Sequence, residues 1–161
     1  MVELDPLSRK EYESGVHRVC FDPLETKILN QSLRCLLLRN PEYRSDDSMT
    51  LAQELQIADF DKQTVTLTYV YGGPAGQKSY TTLWLLKAGV EMYANTNARL
   101  VELYERGGKP APDMLDEAEL RNRGERAAGL ISWLDKEVML TLTMLDPDRE
   151  LQELLDGSQN G

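Results

Sequence analysis

Histidine is almost missing from this chain: His17 is the only one in 161 residues. Any Ser–His–Asp or Cys–His nucleophile would have to use it. Cysteine is nearly as scarce. Cys20 and Cys35 lie fifteen residues apart, with no Cys-x-x-Cys pair. These three widely spaced candidates fall short of a tetrahedral zinc set. Two reduced, buried thiols suit the pattern better than a disulfide. No apolar run exceeds four residues, far too short for a membrane span. The opening Met1-Val2-Glu3-Leu4-Asp5 is acidic rather than basic and then apolar, unlike a secretory leader. A cytoplasmic location follows as the expectation, or a place in a virion assembled there, with no cofactor and no metal.

What is abundant is acid. Asp and Glu number 27 against 18 Lys and Arg, a net charge of −9. Phosphate repels such a chain, which argues against nonspecific nucleic-acid binding and against anionic membranes. Hydrophobic residues make up 41% and charged residues 28%, the balance of a folded domain. The length suits one domain over 1–161.

Three Asp-Pro pairs read as helix starts: Asp5-Pro6, Asp22-Pro23 and Asp146-Pro147. Asp accepts hydrogen bonds from the orphan amides, and Pro fits the first turn, where its missing N–H costs nothing. The helix from Asp22 carries Leu24, Ile28, Leu29, Leu33, Leu36 and Leu37 and stops at Asn40-Pro41. Cys35 and Leu38 widen its apolar face, which places it in the core. Gly15 to Phe21 is ambiguous between helix tail and short strand. Glu42 to Asp47 reads as a turn and Ser48 to Leu55 as a short helix. Residues 1–55 therefore form a helical N-terminal part.

Val65, Leu67, Tyr69 and Tyr71 alternate with Thr64, Thr66, Thr68 and Val70, the period of a strand. Gln56 to Phe60 is its expected partner, turning near Asp61-Lys62, so that 56–71 forms a β-hairpin. Gly72-Gly73-Pro74-Ala75-Gly76 then makes a loop.

Two helical seams follow. Leu83, Leu86, Val90, Tyr93, Asn97, Leu100 and Tyr104 repeat at spacings of 3 and 4. So do Leu120, Gly124, Ala127, Ile131, Leu134, Val138, Thr141 and Leu145. Gly107-Gly108-Lys109-Pro110 separates them, with Asp113 or Asp116 as the next cap. The pair predicts a long antiparallel αα-hairpin over 79–145, with Asn97 facing Ala127. Over 137–145 the unbroken seam favours helix, while the alternation of Leu and Thr favours a strand. Leu151, Leu154 and Leu155 suggest a short C-terminal helix within 146–161. The expected fold is α+β and mainly α.

Chemical motifs are weak. On a helix, Glu13, His17 and Cys20 would share one face and allow a thiolate–imidazole pair, but no oxyanion-hole signature accompanies them. Asp59-Phe60-Asp61 lacks the rest of a calcium loop. Gly72 to Ser79 resembles a phosphate loop superficially, yet Lys78 lacks the preceding Gly and Pro74 removes an amide. Arg121, Arg123 and Arg126 lie among Glu117, Glu119 and Glu125, either as a solvated helix face or as a surface for acidic partners. Arg34, Arg39 and Arg44 form a sparser basic group. Asn97 is polar in an apolar seam, which fixes register or oligomeric state if it is buried. Trp84 and Trp133 lie off both seams and are candidate anchors on the sheet or on another subunit.

The favoured function is a non-enzymatic structural or assembly protein acting through protein–protein contacts, for example in an oligomeric ring or a phage particle. Its partners would be proteins, including copies of itself. One alternative is an acidic regulator or inhibitor that mimics nucleic acid. Another is a small enzyme with a carboxylate/arginine site.

Overall fold

The structure, a computed structural model, describes residues 2–3, 15–108 and 115–145. In chain order these form β1 (Val2–Glu3), β2 (Val16–Phe21), α1 (Pro23–Arg39), a 3-10 turn at Pro41–Tyr43, α2 (Asp46–Phe60), β3 (Val65–Val70), α3 (Gly73–Glu105) and α4 (Glu117–Leu145). The fold is mainly helical α+β, as the sequence predicts. The expected helix starts at Asp5 and Asp146, the cap Asp113, and the leucines at 151–155 lie outside the described residues.

Helix α1 starts where Asp22-Pro23 says it should. Asp22 Oδ1 accepts from the Glu25 amide at 2.8 Å, and Glu25 Oε1 accepts from the Asp22 amide at 3.0 Å. This reciprocal pair satisfies two orphan donors. At the far end Pro41 blocks continuation, and Asn40 turns its side-chain amide back onto the Leu36 carbonyl at 3.0 Å. Ile28, Leu29 and Leu33 are fully buried. Leu38 departs from expectation: it is 70% exposed, on the outer side of the helix.

Two expectations for the strands are corrected. Within Gly15 to Phe21, Val16–Phe21 resolves as β2, so the N-terminal part is not all helical. It is the central strand of an antiparallel sheet ordered β1-β2-β3, with Val2 opposite Cys20, Val16 opposite Val70 and Phe21 opposite Val65. Gln56 to Phe60, the expected hairpin partner, is instead the end of α2. Helical phase buries Ala52, Leu55 and Ala58 together on one face and brings Asp59 to α1. There the Asn30 amide donates to Asp59 at 2.9 Å and Lys27 pairs with it at 3.6 Å. Asp61-Lys62 is therefore a helix end rather than a hairpin turn. Lys62 sits in the left-handed region at φ 54°, and the Gln63 amide reaches back to the Ala58 carbonyl. At its other end α2 starts two residues before Ser48, because Ser45 caps it by exchanging hydrogen bonds with Ser48.

The Gly72–Gly76 segment is also corrected. Gly72 is the cap of α3, and Gly73 to Gly76 are its first turn. Low helix propensity is overridden because the chain turns sharply out of β3. A Cβ on Gly76 would lie 2.9 Å from the Tyr71 carbonyl, so only glycine permits that turn.

Helices α3 and α4 run antiparallel over 33 and 29 residues. They are about 50 and 43 Å long. α4 is continuous to Leu145, which settles 137–145 as helix. Thr141 tolerates it by donating to the Glu137 carbonyl at 2.7 Å. Both expected seams are present: Leu83, Leu86 and Val90 meet Ala127, Leu134 and Val138 in the core. The register differs slightly from expectation. Asn97 lies against Leu120 and Gly124, one turn nearer the connecting loop than Ala127. α1 crosses α3 at Ser32 and Gly89. The sheet packs against α4 through Phe21, Tyr69 and Trp133.

Candidate functional site

The six residues singled out from sequence do not converge. Trp84 packs edge-on to Tyr43, with ring centroids 5.4 Å apart, and braces the 3-10 turn against α3. Trp133 sits on the sheet, edge-on to Phe21 at 5.7 Å and to Tyr69 at 5.9 Å. Both indoles pack within this chain. Asn97 is buried, and its amide donates to the Leu120 carbonyl at 2.7 Å. It fixes register inside the hairpin.

The three arginines are each engaged by carboxylates of this chain. Arg121 reaches Glu105 at 2.8 Å and Glu117 at 2.9 Å, clamping the end of α3 to the start of α4. Arg123 pairs with Glu119 at 3.0 Å. Burial opposes its charge, but the hydrogen bonds it donates to Glu119 and Tyr93 outweigh that and keep the guanidinium charged. Arg126 bonds Asp22, the cap of α1, and so ties α1 to α4.

This last pair makes stability depend on acid. Burial raises the Asp22 pKa, but the Glu25 amide and Arg126 together outweigh it, and the carboxyl sits below its ordinary 3.8. The folded-state value is depressed, so the contribution is complete above the unfolded pKa and is lost as pH falls through the folded one. Asp22→Asn keeps a good cap and removes the charge. Between about pH 5 and 2 the wild type should therefore lose more stability than Asp22→Asn, measured by urea unfolding at each pH. Parallel losses would show that the pair carries no weight.

His17 lies in β2, not on a helix. Its side chain shares a face with Val19 and Phe21, whereas Cys20 points to the opposite face. The face shared by His17 and Cys20 on a helix is therefore lost, and Glu13 lies outside the described residues. His17 instead stacks on Tyr69 at 5.4 Å and on Tyr71 at 4.3 Å. Facing these rings is Glu137 of α4, only 5% exposed. The Tyr69 and Tyr71 hydroxyls both donate to its Oε2, at 3.0 and 2.5 Å. A cavity of about 280 Å³ opens among His17, Tyr69, Tyr71, Trp133, Lys136 and Glu137. Sequence reading found His17 and Trp133 but not the cluster, because its members come from three elements.

A cavity of about 720 Å³ forms a groove between α1 and α2. Leu37, Leu38, Met49 and Ala52 line it, with Arg34 and Arg44 beside them. Leu38 and Met49 are 70% and 50% exposed. Arg44 is held in place by donating from Nε to the Leu37 carbonyl at 2.9 Å. Arg34 and Arg44 are two of the three residues in the sparser basic group noted in the sequence. The signal for the groove was present in Leu38, which extends the apolar arc of α1 beyond what one packed face needs.

Among the described residues no group of three or more His, Cys, Asp or Glu is placed to hold a metal ion. Nor is any described helix long and apolar enough to cross a membrane. Set against protein-family models, curated proteins and solved structures, the chain matches none.

Proposed function

We propose that this protein is a non-enzymatic binding subunit of a larger protein assembly, and that it docks an amphipathic helix of its partner into the α1–α2 groove. One observation carries the reading: Leu38 and Met49 stand exposed on the walls of the α1–α2 groove. Exposed apolar side chains gathered in one concavity mark a contact surface. Two helices flanking an apolar trough suit the helix-in-groove mode, in which residues spaced three and four apart insert together. Arg34 and Arg44 line the groove with Asp46 as the one acid among the lining residues, in a chain of net charge −9. That local reversal of sign selects a partner helix with Asp or Glu flanking its apolar stripe.

The nucleic-acid mimic is less well supported. Such a mimic needs uncommitted acids along one face. Here Asp22, Asp59, Glu105, Glu117, Glu119 and Asp135 are each paired with a cation of the same chain.

A photoreactive side chain at position 38, introduced in the native host, tests the reading. The expected product is an adduct with one defined protein, whose linked peptide is amphipathic and acidic. Met49→Asp should abolish that adduct. An adduct yield unaffected by Met49→Asp, or none at all, would reject the groove as the docking site.

A further inference from the structure

We propose that the pocket between the β2–β3 face and α4 binds a small zwitterion of amino-acid type, its ammonium on Glu137 and its carboxylate at Lys136. This site is separate from the α1–α2 groove and stands or falls independently of it.

Glu137 is the nearly buried acid of this pocket. A carboxylate that is only 5% exposed is costly unless its oxygens are hydrogen-bonded. The Tyr69 and Tyr71 hydroxyls satisfy Oε2. Oε1 accepts no hydrogen bond from the described residues, although Glu137 lines the cavity. The complement of that oxygen is an N–H donor with positive charge. His17, Tyr69, Tyr71 and Trp133 surround the same space. Electron-rich aromatic faces attract an ammonium group.

A simple amine would meet a conflict. Lys136 and Arg18 line the same cavity, and the exposed Lys136 ammonium makes no ion pair with the described residues. A ligand carrying a carboxylate beside its ammonium satisfies both ends. Val19, Leu140 and the Trp133 indole supply an apolar wall for a short side chain. Size narrows the class further. A cavity of about 280 Å³ lies just below the span of roughly 300–1,000 Å³ that holds drug-sized ligands. It has room for an amino acid and not for a nucleotide.

The test uses the full chain carrying Trp84→Phe, which leaves Trp133 as its only tryptophan and a reporter in the pocket wall. Its fluorescence is titrated with L-leucine, with isopentylamine, which lacks the carboxylate, and with 4-methylpentanoate, which lacks the ammonium. Leucine should give a saturable change, and each single-charge analogue should bind about tenfold more weakly or worse, the worth of one charged hydrogen bond. Lys136→Met alters an exposed side chain and leaves the fold intact. It should weaken leucine about tenfold and erase its advantage over isopentylamine. Glu137→Gln should weaken leucine by at least as much. No saturable response to leucine overturns the proposal. So does isopentylamine or 4-methylpentanoate binding as tightly as leucine, or leucine affinity unchanged in Lys136→Met.

Discussion

Replacing Gly89 with valine should cost about 3 kcal/mol of stability or more, the upper range for overpacking a closed core. Gly89 lies inside α3, where glycine is itself a poor choice: alanine would favour the helix by about 1 kcal/mol. The reason for glycine is the crossing of α1. A Cβ at this position would sit 3.0 Å from the Ser32 carbonyl carbon and oxygen and 3.3 Å from the Ser32 Cβ. Two of those three atoms are backbone, so no rotamer change relieves the contact. Separating the helices would open the interface between Leu29, Leu33 and Leu36 of α1 and Leu85 and Leu86 of α3, all buried. Gly89→Ala should already be destabilising, its propensity gain outweighed by the clash, and valine adds two carbons beyond it. Urea unfolding of the two variants checks this. A rise in stability for Gly89→Ala would show that α1 and α3 do not approach this closely.

The second large effect is expected at Trp133. Trp133→Ala should cost about 3 kcal/mol, the low end for truncating a core tryptophan, since the indole is partly exposed. Its ring is the apolar link between α4 and the sheet, beside the Glu137–tyrosine hydrogen bonds, and meets Phe21 and Tyr69 edge-on at interplanar angles of 81° and 82°. Such aromatic pairs add about 0.5–1.5 kcal/mol each beyond the area they bury. Trp84→Ala removes one ring contact, with Tyr43, and should cost less than half as much. Equal losses for the two would mean that Trp133 does not hold the sheet. A negligible loss at Trp133 would restore it as a free anchor for another subunit.

Local signals in this sequence were legible and non-local ones were not. Asp22-Pro23 announced α1 because a capping box needs only four consecutive residues. The α3–α4 hairpin was legible because two matched seams face each other across a short loop. The sheet was half legible. Val65 to Val70 alternates plainly, but nothing local says that its partner lies before α1 and α2. Ile57 and Phe60 misled the reading of α2. They resemble strand residues, yet both are exposed, at 61% and 86%, on the outer side of a helix. The glycines at 72–76 misled it for a steric reason, since they permit a sharp entry into α3. The pocket was out of reach because Glu137 looks like any other acid of an amphipathic helix until the sheet is placed against it. Asn97 stood out in the sequence as a polar residue in an apolar seam, but spacing left open whether it was buried or exposed, and the structure buries it against the Leu120 carbonyl.

Lys87 holds the same hairpin near its middle. It bonds Asp135 at 2.8 Å across α3 and α4, and that hydrogen bond, against a smaller cost of burial, raises its pKa. With Arg121 clamped near the connecting loop, the two long helices are pinned at two levels along their length. On the proposed function, the α1–α2 side with its open groove is the face that a partner would cover.

The most direct test of that account is the native mass of the protein isolated from its own cells, wild type beside Leu38→Asp with Met49→Asp. Both side chains are solvent-exposed, so the variant should fold with unchanged stability. The account predicts a complex of defined mass for the wild type and a free 18.3 kDa chain for the variant. A wild-type protein found alone, or a variant that keeps its partner, would contradict it.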